Sequence, residues 1–266
     1  MDKEKIFEKY RNEEERILIS KLFDKIRYVE KQNKLQYTDF LSPLELQILK
    51  NVLNIINYKN YVIYGGIEEP QRTIIILFPE KLKELFSNQN FDYNSICSCV
   101  RIVNKFENYD HKVYLGGLIK LGIKREKIGD IVVYDGGADI IVNKDITKFV
   151  LTNLQDLTRF KKSEITVIDI KNIVQKRQEY KNLKFIVSSL RLDNIVSELS
   201  KTSRNKANDI LKQERVFVNY KNETKNTKIL QCKDLITIRG CGKFIIDDIS
   251  GNTKNGKIII NVKKFV

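Results

Sequence analysis

Apolar residues recur along this chain at helix and strand spacings and divide it into segments. The run Arg191-Leu192-Asp193-Asn194-Ile195-Val196-Ser197-Glu198-Leu199 places its apolar residues at 192, 195, 196 and 199, the spacing of one helix face. A second helix is predicted behind it. Ser203 is suited to cap a free backbone N–H, and Ala207, Ile210 and Leu211 recur at helical spacing while Arg204, Lys206 and Lys212 are left to other faces. Val216-Phe217-Val218-Asn219 reads as a short strand, and residues 235–239, 240–242 and 243–246 as strand, tight turn and strand.

The same reading covers the rest of the chain. Leu18, Leu22, Ile26 and Val29 describe an amphipathic helix, with Glu13, Glu14 and Glu15 as a solvated face. Ser42 is a good N-cap and Pro43 a good first residue for a helix whose broad apolar side is Leu44, Ile48, Leu49, Val52, Leu53 and Ile56. Residues 61–64 and 73–78 read as paired strands. Further on, the pattern predicts a strand over 97–106, a helix opened by Asp110-His111 and closed by Gly122, and a basic turn at 124–127. A hairpin over 131–142 turning at Asp135-Gly136-Gly137, a helix over 143–156 and a strand over 165–170 complete this region. Strands alternating with helices at this scale suggest a small α/β layer structure. Residues 176–184 are the most polar seam, where the last domain is expected to begin.

Composition narrows the class. With 266 residues, 42% of them apolar, the chain can bury real cores as one large domain or two to three small ones. No apolar run reaches the roughly 18 to 20 residues that span a membrane, and the start Met1-Asp2-Lys3-Glu4-Lys5 is charged, so a cytoplasmic protein is expected. Four cysteines do not make a disulfide scaffold; Cys97 and Cys99 are read as inert buried thiols on opposite faces of a strand, with no metal site. The net charge of +14 is uneven: residues 181–266 hold 18 Lys and Arg against 8 Asp and Glu, and so carry +10 of it. Such an excess favours a polyanion, because neutralised phosphates release condensed counterions.

Candidate chemistry is sparse. His111 is the only histidine and is most simply a capping or packing residue beside Asp110. Gly116-Gly117 in a helical pattern points to close packing of that helix on the sheet, since Gly costs about 1 kcal/mol relative to Ala there. Gly240-Cys241-Gly242 lacks the third glycine and the helix of a dinucleotide fingerprint, and no phosphate-binding loop motif is present, so no cofactor is expected.

Arg191-Leu192-Asp193, Ser203-Arg204 with Ala207, Val216 with Val218-Asn219, and the hairpin over 235–244 follow an order that resembles the S-four RNA-binding domain. The resemblance implies two helices packed on a small sheet. It departs at Glu214, where that family usually has a helix-ending Gly; Gly takes the left-handed conformation cheaply and Glu does not. A second resemblance lies upstream. Asp110-His111, then Leu121-Gly122-Ile123 with Arg125, Gly129 and Asp130, is similar to the signature of the YlmH-like bacterial proteins. Phe40-Leu41-Ser42-Pro43, Tyr64-Gly65-Gly66, Arg239-Gly240 and Thr253-Lys254-Asn255-Gly256-Lys257 fit the same family.

That resemblance implies an α+β, multi-domain protein. Residues 1–70 would be an N-terminal helical region with a strand pair beginning at its end, 71–180 an RNA-recognition-like α/β domain, and 181–266 an S-four domain. It implies a protein that binds structured RNA on the ribosome, rRNA of the large subunit and/or tRNA, in ribosome rescue or quality control. A monomer is expected, and the lack of any catalytic or cofactor motif in the first 180 residues favours a non-catalytic role. The alternative is an RNA-modifying enzyme of pseudouridine synthase or methyltransferase type targeted by its S-four domain. Synthases also carry a catalytic Arg-Leu-Asp, but here the triplet opens the S-four helix and fewer than 80 residues follow it. The RNA-binding candidates are Arg191, Ser203, Arg204, Lys206, Lys212 and Arg215, with Arg239 and Lys243 on the hairpin. Lys124, Arg125 and Lys127 are candidates in the middle region. Cations at a helix N-terminus suit phosphate and folded RNA, and this set suits them better than an aromatic stacking surface would.

Overall fold

Residues 3–10, 12–105, 107–174, 179–253 and 256–266 are described by the computed structural model. The chain divides into two units, Met1–Lys176 and Arg177–Val266.

The first unit opens with helices α1 (Lys3–Lys9) and α2 (Glu13–Gln32), strand β1 (Gln36–Tyr37), helix α3 (Pro43–Ile55) and strands β2 (Tyr61–Tyr64) and β3 (Ile74–Leu77). Asn12 caps α2 by accepting the Glu14 N–H, Glu13 to Glu15 face the positive end of its dipole, and Asn33 ends it with φ 53°. Its buried stripe is Ile19, Leu22, Ile26 and Val29; Ile19, not the expected Leu18, is the fully buried member. Ser42 and Glu45 form a reciprocal capping box in front of α3. The strands form a sheet in the order β1-β3-β2. The division expected between residues 70 and 71 falls between β2 and β3, which pair with each other along four residues.

Ile74-Ile75-Ile76-Leu77 shows no polar alternation because both of its faces are covered. Ile75 and Leu77 join the core formed with α2 and α3, whereas Ile74 and Ile76 join a second core on the other side. Helix α4 (Lys83–Ser87) contributes Phe86 to that second core. Its far wall is the sheet of β4 (Cys97–Val103), β5 (Ile128–Tyr134), β6 (Gly137–Asn143) and β7 (Glu164–Ile168), with helix α5 (His111–Lys120) after β4 and α6 (Thr147–Asn153) after β6. The antiparallel strand order β5-β6-β4-β7 with this connectivity is a split β-α-β fold.

Several expectations shift here. The helix expected over 143–156 is only α6 between two 3₁₀ turns, and Asn143 belongs to β6. Strand β4 ends at Val103, and Phe106 lies outside the described residues. Cys97 and Cys99, two residues apart on one strand, must face the same way, and both lie in the same core, which corrects their expected opposite placement. Burial pushes both thiols up to about 12. Gly117 does make a close approach, but to the Phe160 ring instead of the sheet: a Cβ there would lie 2.6 Å from that ring, while one at Gly116 would meet nothing.

The second unit comprises β8 (Tyr180–Val187), helices α7 (Leu192–Ser200) and α8 (Arg204–Lys212), and strands β9 (Val216–Val218), β10 (Lys221–Asn222), β11 (Leu235–Ile238), β12 (Gly242–Asn252) and β13 (Ile258–Phe265). They form one antiparallel sheet in the order β10-β9-β11-β12-β13-β8. Leu192, Ile195, Val196 and Leu199 of α7 and Ala207 and Leu211 of α8 pack on the face carrying Val216, Val218, Ile236, Ile238, Phe244, Ile246, Ile260 and Val262. The polar seam is not a linker throughout. From Tyr180 it is strand β8, paired with β13 along eight residues, while residues 176–178 lie outside those described. Of the 253–257 motif, Lys254 and Asn255 also lie outside them; Thr253 and Lys257 are joined by a backbone hydrogen bond of 2.7 Å.

Candidate RNA interface

The helix pair is built around one buried carboxylate. Asp193 lies in the first turn of α7, and its side chain is 1% exposed. Arg191 reaches it through Nε at 3.1 Å and Nη2 at 2.9 Å, and Arg204, from the first turn of α8, through Nε at 3.0 Å and Nη2 at 2.8 Å. Burial alone would raise the Asp193 pKa; the hydrogen bonds and charges of the two guanidiniums overcome that and hold it below the usual carboxylate value. A polar group this buried is tolerable because it is fully paired. The pair therefore sets where the N-terminus of α8 points.

This geometry divides the predicted cations by role. Arg191 and Arg204 each give a face to Asp193, with a third and a half of their side chains exposed. Ser203 is occupied as the cap, accepting the Lys206 N–H at 3.3 Å. Lys206 and Lys212 project into solvent. Arg215 donates from Nη2 to the Arg239 carbonyl at 2.7 Å and so ties the end of α8 to the β11–β12 turn. Glu214 adopts the left-handed conformation, φ 55°, that the family's Gly would occupy, and its N–H reaches the Leu211 carbonyl. The helix end keeps its usual geometry despite the residue.

Arg239 and Lys243 do not share a surface with the helix cations. Arg239 stacks over the Phe217 ring at 4.8 Å, and Lys243 Nζ stands 5.3 Å from the Tyr220 ring and 4.6 Å from that of Phe265. By strand alternation these residues lie on the sheet face opposite the helix pair. Sequence reasoning passed over the aromatic members; a period-2 reading of β13, with Ile260 and Val262 inward and Lys263 and Phe265 outward, would have exposed them.

In the first unit the three predicted cations also separate. Lys124 is exposed. Lys127 bonds Asp39 and Asp145, each at 2.8 Å; burial would lower its pKa, but those bonds raise it to about 12. Arg125 donates to the Ile128 and Gly129 carbonyls beside Arg72, which also bonds Ile128. Burial and the Arg72 charge lower Arg125 to about 10. Asp130 accepts the backbone N–H groups of Gln71 and Arg72, so much of the Arg125, Gly129, Asp130 signature fastens β5 to the segment before β3. His111 is the exposed first residue of α5 behind its Asp110 cap.

RNA-recognition folds stack bases on their sheet. Here the sheet face away from α5 and α6 is closed. Cys97, Cys99 and Ile141 lie under Phe40, Ile74 and Ile76, and Asn143 bonds Asp39 at 2.7 Å. Arg101 grips the fully buried Asp139 through two bonds of 2.7 Å, and that carboxylate also takes the Tyr134 hydroxyl and the Val174 N–H. Among the described residues no helix is long and apolar enough to cross a membrane, and no group of three or more His, Cys, Asp or Glu is placed to hold a metal.

Together these features define an α+β protein in which a split β-α-β fold precedes a helix-pair-and-sheet unit of S-four type. Residues 88–172 match the family described as "Putative RNA-binding domain in YlmH". Over 254 residues the chain is 32% identical to the "Ribosome-associated protein quality control protein P2" of Bacillus subtilis (strain 168), covering 95% of each chain. The chain belongs to the YlmH family. A solved structure, "Cell division protein ylmH from Streptococcus pneumoniae", is similar with a TM-score of 0.46 and 21% identity, covering 62% of this chain and 97% of that one.

Proposed function

We propose that this protein binds structured RNA on the ribosome, rRNA of the large subunit and/or tRNA, and acts in ribosome-associated quality control as a binding protein, not a catalyst. The observation that carries the reading is the Arg191–Asp193–Arg204 cluster. It holds the N-terminus of α8 in place, so that Lys206 and the outer edge of Arg204 meet solvent together beside that helix end. Free backbone N–H groups and cations at one helix end favour phosphate. The net charge of +10 over residues 181–266 and the quality-control name of the Bacillus subtilis relative support the same reading. Asp193, the aspartate of the Arg-Leu-Asp triplet, is committed to two guanidiniums, which supports a structural role for it over a nucleophilic one. The closed face of the β5-β6-β4-β7 sheet supports the C-terminal unit as the main anchor, with Lys124 as the exposed one of the three cations predicted in the middle region. A second, weaker contact from the linked unit would raise overall avidity through effective concentration.

The test is co-sedimentation of tagged protein with separated large subunits, small subunits and free tRNA over a salt series. Retention on large subunits or tRNA is expected. Lys206→Gln with Lys212→Gln should weaken it and lower the slope of log affinity against log salt by about one for each phosphate that is no longer neutralised. Salt-independent retention, or retention that survives nuclease treatment, would overturn the assignment.

A further inference from the structure

The outer face of the C-terminal sheet carries a row of rings and cations that the helix-pair interface does not use. Phe217 on β9 faces Thr237 on β11, and Thr237 faces Lys243 on β12. Phe244 faces Lys264, which sets Lys243 beside Phe265 of β13, and Phe265 faces Tyr180 of β8. Phe265 and Tyr180 meet edge to face at 5.0 Å, and Arg239 and Lys243 lie over the rings of Phe217, Tyr220 and Phe265. At about 4.8 Å per strand, Phe217 and Phe265 stand about 14 Å apart, too far for one base and suited to bases separated along an extended strand.

Tyr220 adds an independent observation. With Asn219 it forms the two-residue turn between β9 and β10, both at positive φ, 50° and 67°. Such turns favour Gly at the second position, and a bulky residue there is strained. Strain retained where Gly would relieve it points to a use for the side chain. The ring of Tyr220 is directed at Lys243, the cation shared with Phe265.

We infer that Phe217, Tyr220 and Phe265, interleaved with Arg239 and Lys243, form a platform that stacks unpaired RNA bases while the two cations meet the backbone. Single-strand readers combine these elements, aromatic faces for bases and cations for phosphate. The inference rests on the RNA-binding reading above and adds to it a substrate class, unpaired nucleotides, and a second surface on the sheet face away from α7 and α8.

The experiment measures anisotropy of two labelled RNAs, an unpaired oligouridylate and a fully paired hairpin, with the full-length protein. Tyr220→Gly with Phe265→Leu removes two rings while relieving the strained turn and keeping apolar bulk. Expected is at least about fivefold weaker binding of oligouridylate, hairpin binding unchanged within about twofold, and no fall in melting temperature. Photo-crosslinking of wild-type protein to a 4-thiouridine oligonucleotide should give adducts on peptides containing Phe217, Tyr220 or Phe265. Unchanged oligouridylate affinity in the variant, equal loss for both RNAs, or adducts confined to α8 would overturn the platform and leave the helix-pair reading standing. If the wild type bound neither RNA, that earlier reading would fall with it.

Discussion

Arg204 Nη2 lies 2.8 Å from Asp193 Oδ2, and through that contact the first turn of α8 is fixed to the first turn of α7. Two segments eleven residues apart thereby share one charge network. Removing its carboxylate leaves two like charges side by side, but both guanidiniums are partly open to water, so Asp193→Ala should destabilise the C-terminal unit by about 1–3 kcal/mol, the cost of lost charge-assisted hydrogen bonds. The effect has a pH signature. The folded pKa of Asp193 is depressed, so its stabilisation is present above the unfolded value near 4 and is lost as pH falls through the folded value. Acid titration of urea unfolding should show this loss in the wild type and less of it in Asp193→Asn.

Glu214 holds φ 55° at the end of α8, where L-residues other than Asn and Asp are disfavoured by about 1–2 kcal/mol. Glu214→Gly should therefore raise stability by about 1 kcal/mol, against the usual penalty for introducing glycine. Chemical denaturation of the two proteins measures it, with an unchanged m-value as the sign that only the native turn was relieved.

Gly129 sits beneath Phe40. A Cβ at residue 129 would lie 2.8 Å from Phe40 Cε1 and 3.1 Å from the Ile141 Cβ. Gly129→Ala should overpack the core between the two sheets of the first unit and lower stability by about 1–3 kcal/mol. Phe40→Leu should recover part of that stability. A double-mutant cycle in thermal unfolding checks the coupling; strict additivity would show that the two positions do not share a contact.

Cys97 and Cys99 are fully buried with thiols raised to about 12, whereas Cys232 is exposed. Iodoacetamide at neutral pH should modify Cys232 first and reach Cys97 and Cys99 only as the first unit unfolds, because the thiolate is the reactive species. Peptide mapping by mass spectrometry over time separates the sites.

Much of the local structure is legible in the chain itself. Ser42-Pro43, Asp110, Ser203 and the Asp135-Gly136-Gly137 turn announce element ends because caps and turns depend on a few adjacent residues. The order of motifs resembling the S-four domain and YlmH proteins is legible for the same reason, being linear along the chain, whereas the division expected at residues 70 and 71 falls between strands that pair with each other. Roles are harder to read than positions. Arg191, Arg204, Arg125 and Lys127 look alike in sequence as candidate phosphate ligands, yet all are engaged: Arg191 and Arg125 by groups two and three residues away, Arg204 and Lys127 by carboxylates that only folding brings to them.

The sequence by itself determined the capped amphipathic helices, the hairpin turns, the basic excess of residues 181–266 and the family pattern, because each rests on short-range spacing or on simple sums, while short α4 and the 3₁₀ breaks around α6 lie outside that pattern. Only the tertiary structure decided which surfaces stay open. The split β-α-β sheet loses its usual stacking face to β3 and Phe40, which come from outside the β4–β7 segment. The aromatic row on the other sheet is assembled from Tyr180, Phe217, Tyr220 and Phe265, residues that become neighbours only when β8 pairs with β13 and β9 with β11. Long-range strand pairing sets both outcomes, and no local pattern encodes which strand will lie beside which.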